Sequence, residues 1–259
     1  MKTIAISQFK NGSIKSIEDN VAEENILHLV INSEVSFDVI ISPSDIKEFV
    51  YGNLYTEGFI SDKEDVLAYK ENIKKALISI NVKLKDFSLK KQFLRKNYNI
   101  VWTECGSSGE LKRLYDRFEP ITQQIKIKGD DILKIPGMIK SKTELFKQTG
   151  AFHYAFLFDS GINLLAYASD IGRHNAVDKV LGYQLLRGGE IKDKLLYVTG
   201  RVSSDILLKC LRAKVPVIIS KSALLDIAID LANKYNICLI GFLRGKRFNI
   251  YSNPKAIIH

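Results

Sequence analysis

Apolar positions follow a strand-like pattern through most of the first third of the chain and a helical pattern in one segment of it. HLVIN, VSFDVIIS and LISINVKL are short runs rich in β-branched residues, which is typical of strands. Between the second and third runs, four apolar residues recur at helical spacing: Ile46, Phe49, Val50 and Leu54. We predict one helix here, capped by Ser44, ended by a left-handed turn at Gly58 and packed on a sheet.

From about Gly129 the chain changes to longer elements. A helical segment is predicted from Asp131 to Phe146, broken or kinked at Pro136, and a hairpin follows whose strands are joined by Ser160 and Gly161. After the hairpin, helices and strands alternate as far as the apolar run ICLIGFL. This alternation predicts a mainly parallel α/β sheet with helices on both faces and functional loops beyond the carboxyl ends of the strands.

The change of pattern sets the domain organisation that we expect. We place a boundary near residue 128, with an N-terminal α/β subdomain at 1–128 and a second α/β domain at 129–259. No internal repeat or low-complexity linker marks this boundary. It is therefore predicted from the change in element length alone.

Composition and charge narrow the functional classes. Of the 259 residues, 46% are hydrophobic and 26% are charged, which indicates a packed globular protein rather than a disordered or fibrous one. Lys plus Arg number 38 and Asp plus Glu number 29, so the net charge of +9 favours anionic partners such as nucleotide phosphates, nucleic acid or a membrane surface. The apolar runs stop well short of the roughly 20 residues of a membrane-spanning helix, and MKTIAISQFK lacks an export signal. We expect a cytoplasmic protein that does not enter a membrane.

The three cysteines, Cys105, Cys210 and Cys238, are too few and too widely spaced for a disulfide framework or a zinc motif, so we expect reduced thiols and no permanently bound metal. Cys105 stands in WTECGSSGE, whose glycines and serines predict an exposed, flexible loop. A thiol acts as nucleophile or sulfur carrier in its thiolate form, which the basic segment upstream would favour. An inert surface cysteine is the equal alternative. Cys210 and Cys238 stand in apolar runs, which predicts buried structural thiols.

A second candidate region is the junction between the hairpin and the next helix, DIGRHNAVDK. It holds more polar groups than a simple turn requires: Asp170, Gly172, Arg173, His174, Asn175, Asp178 and Lys179. We interpret this junction as functional, with a solvated helix cap as the alternative. His153 lies in the preceding apolar strand, where a lone histidine is usually a core residue.

Two further strand ends repeat this design. VTGRVSSD ends a strand at Gly200 and Arg201 and opens a helix near Ser203, and ISKSALL adds Ser220 and Ser222. Free backbone N–H groups at a helix N-terminus, a glycine that permits close approach and an arginine together suit a phosphate. These junctions therefore predict a region that binds anions or nucleotides.

Several blocks of the sequence resemble the FdhD family of formate dehydrogenase accessory sulfurtransferases. They are GNLYTEGFI, CGSSG, TGAFHYA, DIGRHNAVDKVLG, TGRVSSDILLK and GFLRGKRFNIYS, and they span most of the chain. The resemblance implies an α/β fold, a three-layer α/β/α sandwich similar to cytidine deaminases, with an extra N-terminal α/β subdomain. The deaminase zinc signature is absent, so the likeness in fold implies neither zinc nor deamination.

The resemblance also implies an activity, sulfurtransferase. Cys105 would accept persulfide sulfur from a cysteine desulfurase and pass it to the bis-molybdopterin guanine dinucleotide cofactor before insertion into formate dehydrogenase. The cofactor would be bound as cargo, and GDP should bind as a stand-in for one of its arms. The family loop is usually CGxCG, whereas Ser108 stands at the second cysteine position here, so Cys105 must act alone.

Two alternative functions stay open. One is a chaperone that delivers the molybdenum cofactor without transferring sulfur, because the second loop thiol is missing. The other is binding of single-stranded RNA by the basic and aromatic stretch from Lys83 to Tyr98, which we favour least and which would show a strongly salt-dependent affinity. The sequence leaves the oligomeric state open, with a homodimer as one alternative.

Overall fold

A computed structural model of the chain describes residues 1–74, 76–85, 118–122 and 125–258. The predicted loop with Cys105 and Ser108, and most of the basic and aromatic stretch, lie outside the described residues. Among the described helices, none has the length and the apolar character that crossing a membrane requires.

The first part of the chain forms two small sheets and one helix. Its elements are β1 (Lys2–Lys10), β2 (Ser13–Val21), β3 (Asn25–Ile31), β4 (Val35–Ile41), α1 (Ile46–Thr56), β5 (Val66–Lys74) and β6 (Leu77–Leu84). β1 and β2 form a separate antiparallel hairpin that the sequence analysis did not predict. The other four strands form a sheet in the order β4-β3-β6-β5, in which β3 and β6 are parallel. This sheet and α1 share one hydrophobic core, as predicted.

The ends of α1 agree only in part with the prediction. The four apolar residues predicted to face the core are buried, and Gly58 adopts a left-handed φ of 79°, which confirms the predicted stop. The prediction of a Ser44 cap is wrong. Asp45 occupies the cap position with a left-handed φ of 54°, and no side chain caps the helix, because the chain turns one residue later than the pattern indicated.

The second part contains a six-stranded sheet with helices around it. The elements are β7 (Ile127–Lys128), α2 (Gly129–Met138), α3 (Glu144–Thr149), β8 (His153–Phe158), β9 (Leu164–Asp170), α4 (Arg173–Leu186), β10 (Leu195–Val198), α5 (Ser204–Arg212), β11 (Val217–Ser220), α6 (Asp226–Lys234), β12 (Cys238–Arg244), β13 (Arg247–Ser252) and β14 (Ile257–Ile258). The predicted helical segment is broken as expected, but the break follows α2, and Pro136 lies within that helix.

The six strands are arranged in the order β13-β12-β11-β10-β8-β9. β10 is parallel to β11 and β11 to β12, while the other three pairings are antiparallel. The prediction of a mainly parallel sheet is therefore wrong. The two hairpins, β8 with β9 and β12 with β13, add antiparallel strands at both edges of the parallel core.

Helices cover both faces of this sheet, as predicted. On one face, Phe156 and Tyr197 are buried together with Ile132 of α2. On the other face, Leu157 and Leu196 are buried with residues of α4, α5 and α6. The chain thus has the layers of an α/β/α arrangement, whereas the likeness to cytidine deaminases stays a prediction.

The N-terminal sheet joins this arrangement through α1, which packs on α4. A Cβ built on Gly52 of α1 would lie 1.8 Å from the backbone oxygen of Asp178, and one built on Gly182 of α4 would lie 1.9 Å from that of Glu48. Only glycine fits at either position, because the two helix backbones touch there. The boundary near residue 128 stays a prediction, and the strand at that point, β7, pairs with β14 near the chain end.

Candidate functional site

The register of the sheet brings the predicted junctions to one place. His153 at the start of β8 pairs with Asp170 at the end of β9, and Val198 at the end of β10 pairs with both Ala155 and Ser220. Four strand ends and the first residues of α4 and α5 therefore lie at the same side of the sheet, which we call the strand-end edge. All nine residues predicted to bind the cofactor lie there: Gly172, Arg173, His174, Asn175, Gly200, Arg201, Ser203, Ser220 and Ser222. Their role as ligand-binding residues stays a prediction.

Asp170 organises the first junction from inside. Its Oδ1 accepts hydrogen bonds from the Gly172 backbone N–H at 2.8 Å and from Asn175 Nδ2 at 2.9 Å. Its Oδ2 lies 2.6 Å from Lys179 Nζ, and both of these side chains are fully buried. Ser42 also donates to Oδ2 through its N–H and its hydroxyl. The start of α4 is thus fixed by a buried ion pair, and part of the Asn175 amide is used by the fold.

At the next helix, His174 contacts α5. Its Nε2 lies 3.3 Å from Ser203 Oγ and 4.0 Å from Asp205 Oδ2. In a serine hydrolase the carboxylate contacts the ring nitrogen opposite the serine, whereas here both contacts fall on the same nitrogen. This group is therefore not arranged to activate Ser203 as a nucleophile. Burial raises the pKa of the Asp205 carboxyl, a residue that the sequence analysis did not single out.

Ser220 links the second and third junctions, which follow β10 and β11. Ser220 is fully buried, and its hydroxyl donates to the Gly200 backbone oxygen at 2.8 Å and accepts from the Ser222 N–H at 2.9 Å. These bonds hold the ends of β10 and β11 together. Arg201, by contrast, is exposed. At this junction the two serines therefore fix the backbone.

The sequence analysis interpreted His153 as a core residue, and the structure corrects this. His153 is only half-buried, and it stands at the strand-end edge beside Arg173 and Gly200. The signal available in the sequence was its position near the start of a strand, three residues after Gly150, rather than in the middle of an apolar run.

An open groove borders this edge. Its volume is about 520 Å³. It is lined by residues of β2, of the turn after it and of the segments that precede β8 and follow β9: Val21, Ala22, Glu24, Thr149, Ala151 and Ile171. The groove offers a bound molecule a partly apolar surface next to the polar junctions.

Two charged residues predicted to belong to the first junction, Asp178 and Lys179, are buried and paired in the interior. Lys179 is paired with Asp170, as described above, and Asp178 faces α1 and α5 in the interior. Asp178 Oδ2 lies 2.9 Å from Lys209 Nζ, which in turn lies 2.8 Å from Glu57 Oε1. Asn53 and Thr56 of α1 also donate to the Asp178 carboxylate.

These contacts leave the interior ions compensated. Burial raises the pKa of Asp178, and although burial alone would raise the pKa of Glu57, the attraction of Lys209 and Arg212 lowers it. The pKa of Lys209 is raised, because its two carboxylate neighbours outweigh its burial. This cluster joins α1, α4 and α5 in the interior and is not part of the strand-end edge.

The two cysteines that the structure describes are buried, as the sequence predicts. Cys210 in α5 and Cys238 in β12 are both fully buried and unpaired by disulfides. Burial raises the pKa of both thiols, that of Cys238 to about 12. Neither is therefore a thiolate at neutral pH. Within the described part of the chain, no group of three or more His, Cys, Asp or Glu side chains is arranged to hold a metal ion.

Comparison with known proteins decides the family. Residues 22–258 match the model of the FdhD/NarQ family. The chain belongs to this family. Proteins named sulfur carrier protein FdhD from Bacillus pumilus and Staphylococcus aureus are 32% and 33% identical to it, over 99% and 98% of this chain and 97% and 95% of their own lengths. This confirms the family resemblance on which the sequence analysis relied.

A solved structure supports the fold of this FdhD/NarQ member. The crystal structure of a protein from Desulfotalea psychrophila, described as a formate dehydrogenase accessory protein, matches with a TM-score of 0.76. The sequence identity is 24%, and the match covers 99% of both chains. The architecture described above is therefore found in a solved structure over its full length.

Proposed function

We propose that the protein is a sulfurtransferase that carries persulfide sulfur on Cys105 and delivers it to the bis-molybdopterin guanine dinucleotide cofactor during maturation of formate dehydrogenase. The names of the relatives, sulfur carrier protein FdhD, support the carrier role. The observation that carries the cofactor part is the convergence of two Gly-Arg junctions, at Arg173 and Arg201, on one edge of the sheet. Such an edge suits a ligand with several phosphates.

The burial of the other two cysteines supports Cys105 as the carrier. A sulfur carrier must exchange persulfide with other proteins, so its thiol has to be reachable and ionised. Cys210 and Cys238 fail on both counts, because each is fully buried with a raised pKa. Cys105 is the remaining cysteine of the chain and stands in the family loop.

The proposed chemistry has two steps that balance. In the first, the Cys105 thiolate attacks the terminal sulfur of the desulfurase persulfide, forms Cys105–S–SH and releases the desulfurase thiolate, with no net oxidation. In the second, the terminal sulfur leaves as sulfide for the cofactor, while an attacking thiol forms a disulfide with Cys105 and supplies the two electrons. Ser108 cannot supply that thiol, so it comes from a second molecule, either a small thiol or a protein thiol.

The test is mass spectrometry of the full-length protein after incubation with a cysteine desulfurase and cysteine. We expect one added sulfur, 32 Da, on the peptide that contains Cys105, removed by a thiol reductant. Cys105→Ala should abolish the addition, and Cys210→Ala, as the matched control, should leave it unchanged. Persulfide on Cys210 or Cys238, with normal formate dehydrogenase maturation by Cys105→Ala, would overturn the assignment.

A cofactor chaperone without sulfur transfer is the second candidate, and the observation that favours it is Ser108 in place of the second loop thiol. The same experiment separates the two. A chaperone would bind GDP but acquire no sulfur on Cys105. Its Cys105→Ser variant would also support formate dehydrogenase maturation as well as the wild-type protein does.

A further inference from the structure

We propose that His153 is a further phosphate-binding residue of the strand-end edge and that it makes nucleotide binding proton-linked. The proposal deepens the proposed function, since it rests on a ligand that presents nucleotide phosphates to this edge. His153 belongs to none of the three junctions from which that function was argued.

His153 and Arg173 both lie against Gly200, which has no side chain. His153 opens β8, Arg173 opens α4, and Gly200 follows β10. A Cβ built on Gly200 would lie 3.2 Å from His153 Nδ1, 3.2 Å from Arg173 Cβ and 3.4 Å from Arg173 Cδ. The imidazole and the arginine side chain thus lie against the same glycine, and the missing side chain leaves room for both.

The electrostatic surroundings of His153 favour an anion. Within the described residues, the His153 ring nitrogens make no hydrogen bond, although the side chain is half-buried. Burial and the nearby Arg173 lower the pKa of His153, and Asp170 raises it to a smaller extent. Among the residues that the structure describes, the charged groups that face it are Asp170 of β9 and Arg173 of α4, and the neighbouring position after β10 is Gly200.

Asp170 cannot act as the counter-ion of His153, since its carboxylate is already taken by other groups. Lys179 and Ser42 bind its Oδ2, and Gly172 and Asn175 bind its Oδ1. Burial and the charge of Arg173 disfavour the imidazolium form of His153 in the free protein. A phosphate that accepts a hydrogen bond from the imidazolium would favour that form.

The sign of the proton linkage follows from this arrangement. A bound phosphate stabilises the imidazolium, so it raises the pKa of His153 above the lowered value of the free protein. Ligand binding then takes up a proton. The affinity should increase as the pH falls through the pKa of the bound state and should level off below that of the free state.

The experiment is calorimetry of the full-length protein with GDP and, as a probe without a base, inorganic pyrophosphate, from pH 5.5 to 8. We expect His153→Gln to bind both probes about tenfold more weakly at the acidic end and to lose the histidine contribution to the pH profile. His153→Lys, which keeps a permanent charge, should retain the affinity without that contribution. His28→Gln, in β3 and hydrogen-bonded to Asp38, is the matched control and should behave as wild type.

Protonation of the phosphates themselves is present in every variant, so the difference between wild type and His153→Gln isolates the histidine. Equal affinities and equal pH profiles in those two proteins would overturn the proposal and leave sulfur carriage untouched. A wild-type protein that binds neither probe at any pH would also overturn it. In that case the mass of the Cys105 peptide still reports separately on the proposed function.

Discussion

One sequence block, DIGRHNAVDKVLG at residues 170–182, divides between two environments of opposite kind. Its first half supplies Arg173 and His174 to the strand-end edge beside an open groove. Its second half supplies Asp178 and Gly182 to the interface of α4 with α1, where ions are paired and backbones touch. The two halves are adjacent in sequence, but the charged side chains of the second half, Asp178 and Lys179, are both paired in the interior.

The two halves show how stabilising residues differ from ligand-binding residues in such a block. The interior carboxylate of Asp178 is buried with a lysine and two side-chain donors around it, so its charge is compensated within the protein. At the edge, Arg173 stands beside a second basic side chain, His153, an arrangement that an anion would stabilise. Substitutions in the interior should therefore reduce stability, and substitutions at the edge should reduce binding.

The largest effect is expected for Gly182→Ala. The new methyl group would lie 1.9 Å from the Glu48 backbone oxygen, and separating the two helices would disturb the hydrogen bonds from Asn53 and Thr56 of α1 to Asp178 of α4. We expect a loss of more than about 4 kcal/mol in the free energy of unfolding, measured by chemical denaturation. Gly137→Ala in α2 is the control, because nothing lies within 4 Å of the added atom, and it should be neutral or stabilising. A small loss for Gly182→Ala would show that α1 and α4 are not in backbone contact.

Lys209→Met should have the next largest effect. It leaves the buried carboxylate of Asp178 without its cation, which costs about 3 kcal/mol of unfolding free energy at neutral pH. The loss should shrink at acidic pH, since protonation of Asp178, whose pKa is raised, then removes the uncompensated charge. Lys134→Met, at the exposed pair with Asp131, should unfold like wild type in the same denaturation series. A Lys209→Met protein as stable as wild type at neutral pH would contradict the stabilising role of the cluster.

At the edge, Arg173→Ala and Arg201→Ala should each weaken GDP binding by about 1.5 to 3 kcal/mol, the scale of a hydrogen bond to a charged group. Because these side chains lie outside the interior cluster, the unfolding free energy should stay close to the wild-type value. Calorimetry and denaturation on the same samples test both statements. Arg187→Ala, at the opposite end of α4, is the control and should change neither quantity. Unchanged GDP affinity in both edge variants would contradict the assignment of a phosphate site to this edge.

The smallest effect is expected for Ser108→Cys. If Cys105 works alone, a thiol at position 108 should leave formate dehydrogenase maturation unchanged under reducing conditions. Under oxidising conditions it should lower maturation, because a disulfide with Cys105 would compete with the persulfide. Formate dehydrogenase activity in a strain carrying either version, with and without reductant, measures this. A several-fold gain from Ser108→Cys would mean that the natural protein is a weakened transferase, and the chaperone function would then be favoured.

Much of the fold could be predicted because local pattern and long-range packing agree in it. The alternating strands and helices after the hairpin, and the meeting of strand ends at one edge, follow from periodicity and from the geometry of α/β sheets. The parallel character of the sheet could not be predicted in the same way. Whether β9 and β13 extend the sheet or leave it depends on pairings that periodicity does not encode.

The candidate site was predicted less completely, for a related reason. The sequence pattern places Asp178 and Lys179 in a polar junction, because their partners, Lys209 and Ser42, are distant in sequence and cannot be recognised by spacing. The pattern places His153 in the core, because a single histidine in an apolar strand carries no sign of the neighbour it meets. In both cases the deciding contact joins separate elements of the fold.

If sulfur loads on Cys105 and then passes to a cofactor held at the strand-end edge, the transfer of labelled sulfur should depend on that edge while its loading should not. The full-length protein is loaded with ³⁵S from a desulfurase and labelled cysteine, then given the molybdenum cofactor and a thiol reductant, and cofactor-bound label is counted. We predict that Arg173→Ala with Arg201→Ala loads like wild type but passes on little label, because loading needs only the thiol and delivery needs the edge. Delivery by this double variant at the wild-type rate would contradict the account.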